Sequence, residues 1–224
     1  MLSAARIVEL HDQLTRDWHL NANQEPHDTN EGSPSKVDKA AGHATNENAS
    51  PDWLSYIAKH HRANFDLWHI EDQARVPGAS DSELARVKRR VDMINQRRND
   101  LAEELDRVLL GWLSIRNLPN PEAPLHSESP GLMIDRLSIL ALKIYHTREE
   151  AERAAAPPGH TERNQERLTI LEEQRADLAG CLEALWQQTL AGARRFKLYR
   201  QLKMYNDPTL NPAIYQKSLQ YPKS

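Results

Sequence analysis

The chain is poor in the residues that staple or turn small folds. Its 224 residues include a single cysteine, Cys181, with 8 glycines and 2 phenylalanines. One thiol excludes an intrachain disulfide framework and a cysteine-based zinc site. So few glycines and phenylalanines disfavour a turn-rich, aromatic-rich β sandwich. No long apolar run occurs: the most apolar stretch, Leu137 to Leu142, is far too short to span a bilayer. The opening, MLSAARIVELHDQLTRDW, carries charges where a secretory leader would have its apolar segment. A formal net charge of -3 gives no global basic field for nucleic acid. These absences lead to the expectation of a soluble, cytoplasmic protein without membrane insertion and without a nucleic-acid partner.

Hydrophobic residues make up 39% and charged residues 27% of the chain, a little polar for one that folds throughout. The excess polarity is local. Residues 20–51 hold no aromatic side chain, and only Leu20 and Val37 are large and aliphatic. Such a stretch buries too little surface to offset its ordering entropy, so it reads as a disordered insertion. Residues 1–19 carry Ile7, Leu10, Leu14 and Trp18 at helical spacing, with Ser3 as a candidate cap.

Beyond the insertion the pattern is helical almost throughout. Asp52 opens a second helix with Leu54, Ile57, His61, Phe65 and Trp68 on one face. Ser80 and Glu83 form a capping-box signature for a third, whose seam is Leu84, Val87, Val91, Ile94, Arg98, Leu101, Leu105, Val108 and Trp112. The fourth starts near Pro130, is apolar on most sides, and belongs in the middle of a bundle. The fifth opens at Thr161, with a seam running through Leu168, Leu171, Arg175, Leu178, Leu182, Leu185 and on to Phe196 and Tyr199. Cys181 lies one step off this seam, as a small core residue would. No strand alternation is visible. The expected fold is all-α: an antiparallel bundle of about five helices over 52–205 plus the first helix, with a turn-rich tail, 206–224, packed on it.

Two segments superpose at a constant offset of 77 residues: His69 falls on His146, Trp68 on Tyr145, Arg98 on Arg175 and Asp100 on Asp177. Leucines match in any two heptad helices, but these polar matches are not demanded by a seam. They fit a duplicated helical hairpin, and also fit coincidence between two amphipathic helices.

Arg98 and Arg175 interrupt apolar seams at positions that face inward, where a guanidinium needs carboxylate partners. Asp72 and Asp135 are the natural ones. Lys88, Asp92, Asn95 and Asn99 form a second polar stripe beside the third helix's seam. These residues, with two histidines, read either as a satisfied polar layer fixing register or as the lining of an interhelical pocket. No ligand set for a metal is assigned: Glu-x-x-His pairs are missing, and Glu103-Glu104 and Glu172-Glu173 read as solvated faces. The basic run from Arg194 to Lys203 reads as cations near a helix C-terminus rather than an RNA contact.

NFDLWHIEDQAR (64–75), KRRVDMINQRRND (88–100), PGLMIDRLSILALKIYH (130–146) and KMYNDPTLNP (203–212) together resemble an uncharacterised bacterial family, number 4254 among the domains of unknown function. The resemblance covers nearly all of 53–215 and the first helix with its Asp17-Trp18-His19. It implies an all-helical fold and carries no established activity. It also implies a context of cell-envelope sugar transfer, with a glycosyltransferase as the partner type. The motif positions include Asn64, Trp68, His69, Asp72, Arg75, Lys88, Asp92, Asn95, Asn99, Asp135, Arg136, Lys143, His146, Tyr205 and Asn206.

The leading expectation is a helical-bundle protein that binds a phosphorylated or sugar-nucleotide ligand between its helices. Asn64, Trp68, Arg75, Lys88, Asp92, Asn95, Arg98, Asn99, Arg136, Lys143, Arg175, Tyr205 and Asn206 would bind it. His69, Asp72, Asp135 and His146 would orient hydroxyls or move protons. The alternative is a non-enzymatic adaptor or homodimer with a purely structural polar core, and the third is a metal-dependent phosphohydrolase. No cofactor is indicated.

Overall fold

A computed structural model describes residues 2–22, 52–202 and 209–212. Five helices occur among the described residues: α1 (Ala4–Ala22), α2 (Trp53–Gln73), α3 (Asp81–Ser114), α4 (Pro130–Glu152) and α5 (His160–Leu190). Among the described residues there is no strand, only an isolated bridge between Leu125 and Arg195. None of the helices is long and apolar enough to cross a membrane.

Local chemistry sets the helix ends. Asp52 caps α2 by accepting from the Ser55 N–H, and Ser80 and Glu83 close a reciprocal capping box on α3. Ser129 caps α4 with Pro130 in its first turn. At the end of α5, Gly192 takes φ 71°. There the Ala193 N–H returns to the Gln188 carbonyl at 2.8 Å and the Gly192 N–H to Thr189 at 3.0 Å. This Schellman ending stops α5 at Leu190 and corrects the expected seam. The basic run begins just past the helix end, where the Arg194 N–H donates to the Gln188 carbonyl at 3.2 Å. Phe196 is still buried, but in the extended segment that follows, and Tyr199 is exposed.

Three further differences are physical. The buried line of α3 is Asn99, Ala102, Leu105, Asp106, Leu109 and Leu113, rotated by about one position from the expected seam. Only its second half is buried, because the first half meets one neighbour, α2. Cys181 is exposed, on the wall of the groove between α4 and α5 rather than in the core. Helix α1 continues through Leu20 to Ala22, into the start of the expected insertion. The rest of that insertion, residues 23–51, and most of the tail lie outside the described residues.

Helix α4 contacts all four other helices, which is why nearly its whole circumference is apolar. The order of ring and hydrogen-bond contacts fixes the directions. His11 stacks on His61 with centroids 4.5 Å apart, and His19 meets His69 at 5.0 Å. Helix α1 therefore runs parallel to α2, not against it. His61 Nδ1 lies 2.7 Å from Ser138 Oγ, and His69 meets His146 with centroids 5.7 Å apart. Helices α2 and α4 are therefore parallel too, and α5 runs back along them, with Glu183 accepting from the Ala4 N–H.

Three parallel helices in register place equivalent residues on common levels. Ile7, Ile57 and Ile134 occupy one level, all essentially without exposure. One turn on come His11, His61 and Ser138, then Thr15, Phe65 and Leu142, then His19, His69 and His146. Contacts across α2 and α4 at the 77-residue offset are what a duplicated hairpin with its two-fold along the helix axes would give. The duplication itself is a proposal.

Candidate functional site

Two polar regions depart from an ordinary bundle core. The first is a cleft of about 340 Å³ among α2, α3 and α4, lined by Asn64, Trp68, Glu71, Asp72, Arg75 and Arg98 with apolar Leu67, Ile139 and Leu142. At its floor Asp135 receives a hydrogen bond from Asn64 Nδ2 at 3.0 Å. His60 Nε2 sits 3.0 Å from the same carboxylate, and Arg98 Nη1 sits 3.7 Å away. Burial pushes the Asp135 carboxyl up, but His60, Arg98 and Asn64 outweigh it and hold the group below its ordinary range. Arg98 is poorly satisfied: its Nε is buried without a partner among the described residues, and Nη2 reaches Asn99 Oδ1 only at 3.4 Å.

The second region is the column of histidines along α1 and α2, with α4 beside it. His61 is held by Thr15 Oγ1 on one nitrogen, at 2.9 Å, and by Ser138 Oγ on the other. Burial, with the His60 charge second, lowers its pKa to about 3. Burial also drives His11 well below the ordinary value, with smaller contributions from His61, His60 and Arg175. At the upper level His19, His69 and His146 meet inside a ring of aromatics. Trp68 stacks on His146 at 4.9 Å, Tyr145 stacks on His19 at 4.2 Å, and Phe65 packs on both His19 and His69. Burial lowers the pKa of His19 and of His146; Glu149 partly opposes this at His146.

The expected site residues divide among these places. Asn64, Trp68, Arg75, Arg98 and Asp72 share the cleft, and Asp135 underlies it. His146 stacks on the far side of Trp68 and does not line the cleft, and His69 turns away toward α1. Asn99 is buried beside Arg98. Asn95 lies half-buried on the same helix, while Lys88 and Asp92 pair with each other on its exposed part. Arg136 and Lys143 line a separate, larger groove between α4 and α5, about 750 Å³, which meets the first at Ile139. Arg175 pairs with neither Asp72 nor Asp135: its Nη1 lies 2.7 Å from Asp12 on α1. Tyr205 and Asn206 lie outside the described residues. Of the acid pairs, Glu104 is bound to Arg107 and Glu172 to Arg148.

Residues 54–198 match the family described as "Protein of unknown function (DUF4254)". The chain belongs to the DUF4254 family. The matched segment carries α2 to α5 and hence the whole cleft, while α1, with His11 and His19, precedes it. No curated protein and no solved structure matches the chain.

Sequence reasoning gave no site role to His11, His60, Thr15 or Asp12, and none to His19 beyond its place in the family resemblance. A signal was present: His11, Thr15 and His19 recur every four residues, as do His61, Phe65 and His69, which places each set on one face. The aliphatic residues Leu10 and Leu14 drew the seam of α1 aside, and both are only half-buried.

Proposed function

We propose that this DUF4254 protein binds a small phosphorylated sugar or sugar nucleotide in the cleft of α2, α3 and α4. One observation carries the reading: Arg98, whose buried Nε has no partner among the described residues, faces a cleft whose wall is the Trp68 indole. A guanidinium fork with free donors suits a phosphate. A flat indole suits the apolar face of a sugar ring, and Asn64, Glu71 and Asp72 suit its hydroxyls. The cleft volume falls within the range of small-molecule sites. A cytoplasmic role beside a glycan-building glycosyltransferase is the setting this ligand class suggests.

Thermal-shift measurements with sugar phosphates and nucleotide sugars at millimolar concentration test the reading. A ligand of this class should raise the melting temperature of the native chain but not of Arg98→Met. If no compound of either class raises it, the cleft does not bind them. A second reading, an adaptor or homodimer, rests on the first half of α3, where Leu84 and Met93 are 38% and 66% exposed. A mass measurement in solution, with Met93→Lys as the variant, tests that reading.

A further inference from the structure

The hydrogen bonds at the upper level fix three histidine tautomers. His19 Nδ1 lies 2.7 Å from the Thr15 carbonyl oxygen, and His69 Nδ1 lies 2.8 Å from that of Phe65. A carbonyl can only accept, so each Nδ1 carries the hydrogen and each neutral ring has a bare lone pair on Nε2. Those two Nε2 atoms face each other at 3.2 Å. Without something electropositive between them, two lone pairs at this distance repel. His146 Nδ1 lies 2.9 Å from Glu149 Oε2, a carboxylate acceptor, so its lone pair also sits on Nε2. That Nε2 is buried and has no hydrogen-bond partner among the described residues.

From this geometry we infer that His19, His69 and His146 bind one divalent transition-metal ion of the zinc class through their Nε2 atoms. The donor nitrogens of the three rings lie within 4.8 Å of one another. With zinc–nitrogen bonds of about 2.0–2.1 Å, tetrahedral ligands are separated by about 3.3 Å, close to the His19–His69 spacing. His146, whose donor nitrogen lies within 4.8 Å of the other two, needs to swing in by no more than about 1.5 Å to complete the set. Every ring already has the outer-shell acceptor that metal-bound histidines use: two backbone carbonyls and one carboxylate. The site also lies at the last turn of α1, where the helix dipole favours a cation. A three-imidazole set suits zinc and its neighbours, and leaves a fourth position for water or another ligand.

Each helix supplies one ligand, so no short spacing announces the site. His19 also lies outside the segment matched to the family. The inference is independent of the sugar-phosphate reading, because Trp68 stands between the cleft and the metal position and none of the three ligands lines that cleft.

The test is a zinc titration of the full chain, stripped of metal and without an affinity tag, by calorimetry and chelator competition. Cobalt(II) absorption then reports the coordination geometry. We expect one equivalent of zinc, bound with a dissociation constant below micromolar. His69→Gln and His146→Gln should each weaken it by at least about 100-fold, and Glu149→Gln by about 10- to 100-fold. His126→Gln, far from the cluster, should leave it unchanged. Absence of stoichiometric binding by the native chain overturns the inference, even if the variants do not fold. So does unaltered affinity in folded His69→Gln, since the facing lone pairs would then be bridged by a proton instead.

Discussion

Arg175 Nη1 donates to Asp12 Oδ1 at 2.7 Å, tying the middle of α5 to the middle of α1. The pair is mostly shielded, with 17% and 30% of the side chains exposed. It holds α1 beside α2 and α4, the position from which His11 and His19 reach the column. Because the pair is neither fully buried nor freely solvated, Arg175→Met should cost on the order of 1–3 kcal/mol. Urea unfolding would measure this, and Asp12→Asn should show a similar loss. If Arg175→Met is as stable as the native chain, the pair does not anchor α1.

The α3–α4 junction makes a second prediction. Gly131 donates its N–H to Asp106 at 2.7 Å, and Ser129 donates to the other carboxylate oxygen. A Cβ on Gly131 would stand 2.5 Å from the Ala102 carbonyl and 2.8 Å from Asp106 Cγ. The backbone atom cannot retreat without moving α3. Gly131→Ala should therefore destabilise by about 1–3 kcal/mol through overpacking, read as a lower urea midpoint. Asp106→Ala should cost on the order of 2 kcal/mol by leaving two buried donors unpaired. A neutral Gly131→Ala would contradict this packing.

Acid should unfold the protein through its histidine column. His61 has a folded pKa of about 3, below the ordinary 6.5, so the unfolded chain takes up the proton first. Its contribution is complete above about pH 6.5 and is lost as pH falls toward 3. Burial raises Asp106 to about 6, which has the opposite sign: that contribution is present at low pH and lost as pH rises through 6. The displacement of His61 is the larger, and buried His11 acts with it. Between pH 7.5 and 4.5 the native chain should lose on the order of 3 kcal/mol. His61→Gln should flatten the profile over the same range. A native chain equally stable at both pH values would contradict the assignment.

Arg98 offers a test that separates a pocket from a merely structural layer. Its loose contact with Asp135, at 3.7 Å, adds little stability. Arg98→Met should therefore change the urea-unfolding free energy by no more than about 1 kcal/mol while abolishing any sugar-phosphate stabilisation. Circular dichroism and thermal shift on the same sample check both halves. A large loss of stability would make the guanidinium a structural element instead.

Much of the fold was legible because local rules and periodicity agreed. Ser80 with Glu83, Ser129 before Pro130, and the all-round apolarity of α4 each fixed an element end or a position in the bundle. What the sequence could not carry was direction. The interval between α1 and α2 leaves either orientation open, and only the His11–His61 and His19–His69 contacts make them parallel. The partner of Arg175 followed from that direction: with α1 alongside α5, Asp12 is nearer than any acid of α2 or α4. The cleft was readable from one helix face, Asn64, Trp68, Asp72 and Arg75. The histidine meeting point was not, because its three members stand on three separate helices.

The most direct measurement of this arrangement is nitrogen-15 NMR of the histidine rings in the metal-free chain near pH 7.5. The expected result is a proton on Nδ1 and a bare Nε2 in His19, His69 and His146, with a shift at Nε2 when one equivalent of zinc is added. Protons found on Nε2 of His69 or His146, or Nε2 signals unmoved by zinc, would contradict it.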